Sequence, residues 1–188
     1  PAMAGETEEL LAALGTERNG MAMWRLSQRA EIVEWDDFLA NETSSERSFA
    51  AAVAAAAGGV SSDSVRSVLL NTVRERVAEP LLGIKSPPPY VVAALALCEI
   101  RAPEALSALS ELLQAGDLQA TVAVLLLKAI GRLGDSDGVA VIKAFLADGM
   151  ERASTVSLWG VQDFRVTPFR FAVELRAVRS LLELGCRD

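Results

Sequence analysis

An all-α fold built from successive helix pairs follows from three features of this 188-residue sequence. Helix-forming residues dominate, aromatics make up only 5% of the chain, and Pro and Gly punctuate it rather than pervade it. Apolar residues recur at helical rather than alternating spacing. A helix, a tight turn and a second helix reappear at a shift of about 33 residues, a period typical of helical repeats.

Taken in order, Thr7 to Leu14 reads as a short helix closed by Gly15, with Glu8 and Glu9 at the positive end of its dipole. A long helix is predicted from Met21 to Ala40, with Met21, Trp24, Ile32, Trp35 and Leu39 along one side and Asn41 as its end. Trp24 and Trp35 are eleven residues apart, three helical turns, so a continuous helix puts them on one face, where core packing is the ordinary role. Thr43-Ser-Ser-Glu46 has the spacing of a capping box, with Thr43 as the cap. The alanine-rich helix that follows runs to Ala57 and lets its neighbours come close. Ser61-Ser-Asp63 caps the next helix, whose stripe is Val65, Val68, Leu69, Thr72, Val73 and Val77, with Pro80 as the stop. After a connector, Pro87-Pro-Pro89 fixes the backbone for a helix starting near 89, because proline in a first turn loses no hydrogen bond.

Helices are then expected at about 89–100, 104–115, 118–133 and 138–147, with Asp117 as the cap of the third. Val91, Val92, Leu97 and Ile100 align with Val124, Leu125, Ile130 and Leu133. Leu106, Leu109, Leu112, Leu113 and Gly116 align with Val139, Ile142, Phe145, Leu146 and Gly149. In a chain that is 51% hydrophobic, apolar coincidences are expected, so the weight rests on the matched glycines and the helix–turn–helix order. Gly134 stands where a left-handed residue must end a helix, and Ser136 or Asp137 can cap the next one. Residues 150–167 interrupt the period as an insertion. Thr167-Pro168 then opens a last helix, 168–184, carrying Phe169, Ala172, Val173, Val178, Leu181 and Leu182.

The segment Ala129-Ile130-Gly131-Arg132-Leu133-Gly134-Asp135 resembles the A-L-G-x-L-G-D pattern that ends the first helix in PBS-lyase-type HEAT-like repeats. The resemblance is good over 88–149, partial over 168–188, where Leu184-Gly185 is a weaker copy, and poor before 80. The family's Val-Arg pair early in that helix is missing: Val122 is followed by Ala123 and Val173 by Glu174. The resemblance implies a right-handed α-solenoid of HEAT-like helical hairpins, here one domain over 1–188. In it an irregular N-terminal helical portion, 1–86, precedes repeats at 87–188. It also implies a bacterial source and a role in binding extended or helical protein segments.

Composition narrows the chemistry. The formal net charge of −7 disfavours non-specific binding to nucleic acid or anionic membrane. Histidine is absent, which removes imidazole acid–base catalysis, Ser-His-Asp and Cys-His nucleophiles and histidine metal sites. Cys98 and Cys186 belong to no CxxC motif and fit a reducing cytosol, with a disulfide between them as the open alternative. Asp135 and Asp137 are too few ligands for a hard cation and read as helix caps. No phosphate-cradling or nucleophile-elbow motif is present. No catalytic residue, cofactor or metal is therefore expected. No stretch reaches a membrane span and no signal peptide is visible. Pro1-Ala2 is no translation start, which makes Met3 the expected one. The last residues fall where a repeat protein turns into its next helix.

Two features point to a partner. The insertion carries Trp159, Phe164 and Arg165, residue types that anchor interfaces; the alternative is that the two aromatics fold back over the groove. Lys128, Arg132, Arg176 and Arg179 form the second: Lys128 and Arg132 are one turn apart, and Lys128 aligns with Arg179, so stacked repeats place them on one ridge. That ridge is either a basic stripe for an acidic peptide or phosphate, or solvated charge on an exposed face. The expectation is a non-enzymatic, cytoplasmic interaction module, a scaffold or adaptor in a bacterial assembly. The alternatives are an accessory subunit of a lyase-type enzyme holding an apolar cofactor, and a helical repeat that binds nucleic acid.

Overall fold

The computed structural model describes residues 2–16, 19–76, 87–115, 118–149 and 167–186, and among these the regular structure is entirely helical. The helices are α1 (Ala2–Ala12), α2 (Asn19–Ser27), α3 (Trp35–Asn41), α4 (Ser45–Ala57) and α5 (Asp63–Glu75). They continue as α6 (Pro89–Glu99), α7 (Ala105–Leu113), α8 (Ala120–Leu133), α9 (Gly138–Ala144) and α10 (Thr167–Glu183). A 3₁₀ turn, Ala30–Ile32, lies between α2 and α3, and a π turn, Phe145–Gly149, extends α9. No described helix is long and apolar enough to cross a membrane. The chain groups into two compact units, Pro1–Ala102 and Pro103–Asp188, which divide in the turn after α6.

In the first unit α4 is the centre, packed by α2, α3, α5 and α6. Its sequence explains how four neighbours fit: Ala50, Ala51, Ala52, Ala54, Ala55 and Ala56 are all buried, and only Phe49 is large among its buried residues. Helices approach closely where side chains stop at Cβ. Gly58 serves the same end at the helix terminus. A Cβ there would stand 2.2 Å from Cβ of Ala30 and 2.7 Å from the Ser27 carbonyl. Arg47, on the first turn of α4, ties three segments together. It pairs with Glu42 at 2.8 Å, donates to the Leu11 carbonyl at 3.2 Å and lies over the Phe38 ring. Glu6 on α1 pairs with Arg29 and Arg25, and its hydrogen bond from Arg29 holds its carboxyl below the usual value.

The expected long helix over 21–40 is broken, and the two tryptophans do not share a face. Trp24 is 62% exposed and Trp35 only 4%. Residues 28–34 turn the chain, and Trp35 is fixed inside by its indole N–H donating to the Ala30 carbonyl at 2.8 Å. The buried series is Ala22, Leu26, Ala30, Val33, Trp35 and Leu39, while Met21 and Ile32 are exposed. Asp36 and Asp37 in the first turn of α3 are the local mark of a new helix start. Other ends also move. α1 begins at Ala2 rather than Thr7. Ser44, not Thr43, caps α4 by accepting from the Arg47 N–H, while Glu42 rather than Glu46 accepts from the Ser44 N–H. Ser62 caps α5 as its sequence implies. α5 ends at Glu75 on the left-handed Arg76, short of Pro80, which like Val77 lies outside the described residues.

In the second unit α8 is the centre and packs against α7, α9 and α10. α8 begins after Gln119, which makes no side-chain cap bond; Asp117 lies outside the described residues. α10 lies directly on α8. The Ser180 hydroxyl, fully buried, donates to the Leu127 carbonyl at 2.7 Å. A Cβ on Gly131 would stand 3.1 Å from Cα and Cβ of Ser180, so glycine there sets how close the two helices come. The buried face of α10 is Val173, as expected, with Ala177 and Ser180 in place of the larger Val178 and Leu182. Ala172, Val178 and Leu182 are exposed, Leu181 is half-buried, and the side chain of Phe169 lies outside the described residues. The helix turns its small residues inward because α8 offers glycine there.

Candidate interaction surface

Residues 89–113 and 122–146 repeat part of their burial as well as their sequence, although Val91 and Leu113 are buried where Val124 and Leu146 are half-buried. Leu97 and Ile130 are fully buried, as are Leu109 and Ile142, while Leu112 and Phe145 are buried in corresponding places. Val92 and Leu125, Ile100 and Leu133, and Leu106 and Val139 are half-buried in both. Small residues open both second helices: Ala105, fully buried, corresponds to Gly138, where a Cβ would stand 2.7 Å from Ile130. Glu99 and Arg132 are both exposed. A helix face that hides the same positions after a fixed interval is the mark of one structural plan used twice.

The turns differ in chemistry and in hydrogen bonding, though each places one residue in the left-handed region. Gly134 has φ +74°, as its place after Leu133 predicts. Arg101, its equivalent, has φ +51°, a left-handed conformation that glycine ordinarily supplies. The Arg101 N–H donates to the Cys98 carbonyl and the Ala102 N–H to the Leu97 carbonyl, which is a Schellman motif. The same pair of bonds surrounds Gly185 at the end of α10. After Gly134, the Asp135 carboxylate accepts from the Asp137 N–H at 3.0 Å. Asp137, at the N-cap position of α9, makes no side-chain cap bond, so the turn is closed by Asp135 rather than by Ser136 or Asp137.

A PBS lyase HEAT-like repeat model matches residues 90–115. This segment is similar to a HEAT-like repeat. It spans α6, the Arg101 turn and α7, and the hairpin that carries the Ala129–Asp135 motif follows outside the matched residues. No curated protein and no solved structure matches the chain significantly. The HEAT-like repeat identifies a helical repeat module, a class of structure that mediates protein contacts.

The residues singled out for partner binding fall into three groups. Trp159, Phe164 and Arg165 lie outside the described residues. Lys128 and Arg132 on α8 and Arg179 on α10 are exposed and make no ion pair among the described residues. Arg176 is engaged: it binds Glu183 at 2.6 Å and donates from Nε to the Ser180 hydroxyl at 3.2 Å, bracing the α8–α10 contact. The first unit presents charge of the opposite sign. An open cleft of about 450 Å³ is walled by Glu31, Glu34, Asp36 and Asp37 beside Val33 and Trp35. Of these carboxylates only Asp36 has a described partner, the Ser62 hydroxyl at 2.6 Å. This acidic cleft depends on the break between α2 and α3, so a continuous-helix reading hides it. The Glu34-Trp-Asp-Asp37 run was its only trace in the sequence.

Cys98 and Cys186 are free thiols. Burial, with the charge of neighbouring Glu99, pushes the Cys98 thiol up to about 12 from 9.0, which keeps it protonated and unreactive near neutrality.

Proposed function

We propose that this chain is a non-enzymatic protein-interaction module, a cytoplasmic scaffold or adaptor in a bacterial assembly. In this reading the HEAT-like hairpins stack as a right-handed α-solenoid, and Lys128, Arg132 and Arg179 receive an acidic extended or helical segment of the partner. The HEAT-like repeat at 90–115 carries the reading, and the burial pattern that returns after it extends the same plan towards α8. The free cations support it further. In a chain of net charge −7, three exposed basic side chains without local carboxylate partners are available to an incoming acid. Trp159, Phe164 and Arg165 join the reading on sequence grounds as anchors flanking that surface.

The test is affinity capture from the native host with mass spectrometry, run on the wild type, a Lys128→Glu/Arg132→Glu/Arg179→Glu variant and a Trp159→Ala/Phe164→Ala variant. Both variants are expected to lose the captured protein while melting within a few degrees of the wild type. Undiminished capture by the charge-reversed variant removes the basic surface from the proposal. A large fall in melting temperature for the aromatic variant assigns Trp159 and Phe164 to the core instead.

A further inference from the structure

We propose that the chain associates head to tail with a second copy of itself, α2 of one copy seating on the outer face of α10 of the other. Among the described residues six large apolar side chains stand exposed: Met21, Trp24 and Ile32 on α2 and the turn after it, and Leu175, Val178 and Leu182 on α10. None lies between them in the chain. Met21 and Trp24 are one turn apart and form a knob. Leu175, Val178 and Leu182 follow the i, i+3, i+7 spacing of a helix ridge and are 41–61% exposed.

The α10 ridge is a seat of a kind this molecule already fills once. By the alignment that pairs Lys128 with Arg179 and Gly134 with Gly185, Val178 corresponds to Leu127 and Leu182 to Gly131. Leu127 and Gly131 are the positions on α8 that α10 covers, through the Ser180 bond and the close approach at Gly131. The surface that α8 offers to α10 is thus offered again by α10, with larger apolar residues and no described helix on it.

Charge selects the α2 end of another copy over a second α10. Arg179 sits beside the ridge and makes no ion pair among the described residues, whereas Glu31 and Glu34 flank Ile32 without a described cation. Two α10 faces brought together would oppose Arg179 to Arg179, which is unfavourable, while α2 and its following turn bring carboxylates to it. Different surfaces meet in such a contact, so each copy brings one α2 face and one α10 face to it.

Sedimentation of the full chain over a range of about 10–500 µM tests this, since a contact of this size is weak. The wild type is expected to self-associate as concentration rises. Trp24→Glu and Leu182→Glu, both exposed substitutions, are each expected to remain monomeric with unchanged helical content and melting temperature. An equimolar mixture of the two is expected to form a dimer and stop there, because only one intact pair of faces remains. A wild type that stays monomeric at 500 µM overturns the proposal. So does a Trp24→Glu variant that still self-associates, which identifies α10–α10 pairing instead. The two proposals share Arg179, but Trp24→Glu and Leu182→Glu leave it and the other residues of the capture test intact, so either proposal can fail alone.

Discussion

The two helix–turn–helix segments, α6 with α7 and α8 with α9, bury many of the same positions yet differ at the places where each meets something of its own. The first has Cys98 where the second has Gly131, and Arg101 where the second has Gly134. Gly131 is small because α10 lies on it; Cys98 is half-buried and has no such demand. Gly134 takes a left-handed turn without a Cβ, while Arg101 takes the same turn with one. The apolar positions therefore define the plan, and the small-residue positions record the neighbours.

The sharpest way to break that distinction is to exchange bulk at the corresponding sites. Gly131→Val is expected to cost about 2–3 kcal/mol, since α10 must lift away and the buried Ser180 bond is lost with it. Cys98→Val, a near volume-conserving change, is expected to stay within about 1 kcal/mol. Urea unfolding of both variants checks this, and equal losses would mean that Gly131 is not special to the α8–α10 contact. Ser180→Ala isolates the polar part of the same contact. It removes the donor to the Leu127 carbonyl and the acceptor for Arg176, and about 1–2 kcal/mol is expected to go with them.

The turns give a smaller pair of effects of opposite sign. Gly134→Ala is expected to destabilise by about 1 kcal/mol and Arg101→Gly to stabilise by about 0.5–1 kcal/mol, because the left-handed region is strained for any residue with a Cβ. Calorimetric melts of the two variants decide it. A loss of stability in Arg101→Gly would show that the arginine side chain contributes more than its backbone costs.

The plan was legible in the sequence because it rests on large residues at a fixed period: Leu97 with Ile130, Leu109 with Ile142, and the Gly134 turn all stand as expected. What was not legible rests on small residues and on hydrogen bonds between distant segments. The α2–α3 corner contains neither proline nor glycine; it is made by the Trp35 bond to the Ala30 carbonyl, five residues back, and by the fit of Gly58 against Ala30, 28 residues away. The face of α10 was misjudged for the same reason. Apolar periodicity favours Val178 and Leu182, whereas the close approach at Gly131 brings in Ser180, with Ala177 buried on the same side. Of the interaction surface, the positions of Lys128, Arg132 and Arg179 were readable from helical spacing, but the engagement of Arg176 with Glu183 and Ser180 needed coordinates.

The smallest expected effect lies in the alkaline range and belongs to the first hairpin alone, since Gly131 offers no titratable group where Cys98 stands. Burial and Glu99 raise the folded thiol to about 12 from the ordinary 9.0. Below pH 9 both states hold the proton, so the full contribution of the neutral buried thiol is present. Above pH 9 the unfolded chain releases the proton while the folded chain keeps it, and stability falls until the folded thiol also ionises near 12. Unfolding free energies of the wild type and Cys98→Ala, measured at pH 7, 9 and 10, are therefore expected to differ in slope, with the wild type losing stability faster above pH 9. Every other ionisable group is common to both proteins and cancels in the difference. Parallel curves would mean that the thiol reaches water more readily than its burial implies, and that the first hairpin is looser at α6 than the second is at α8.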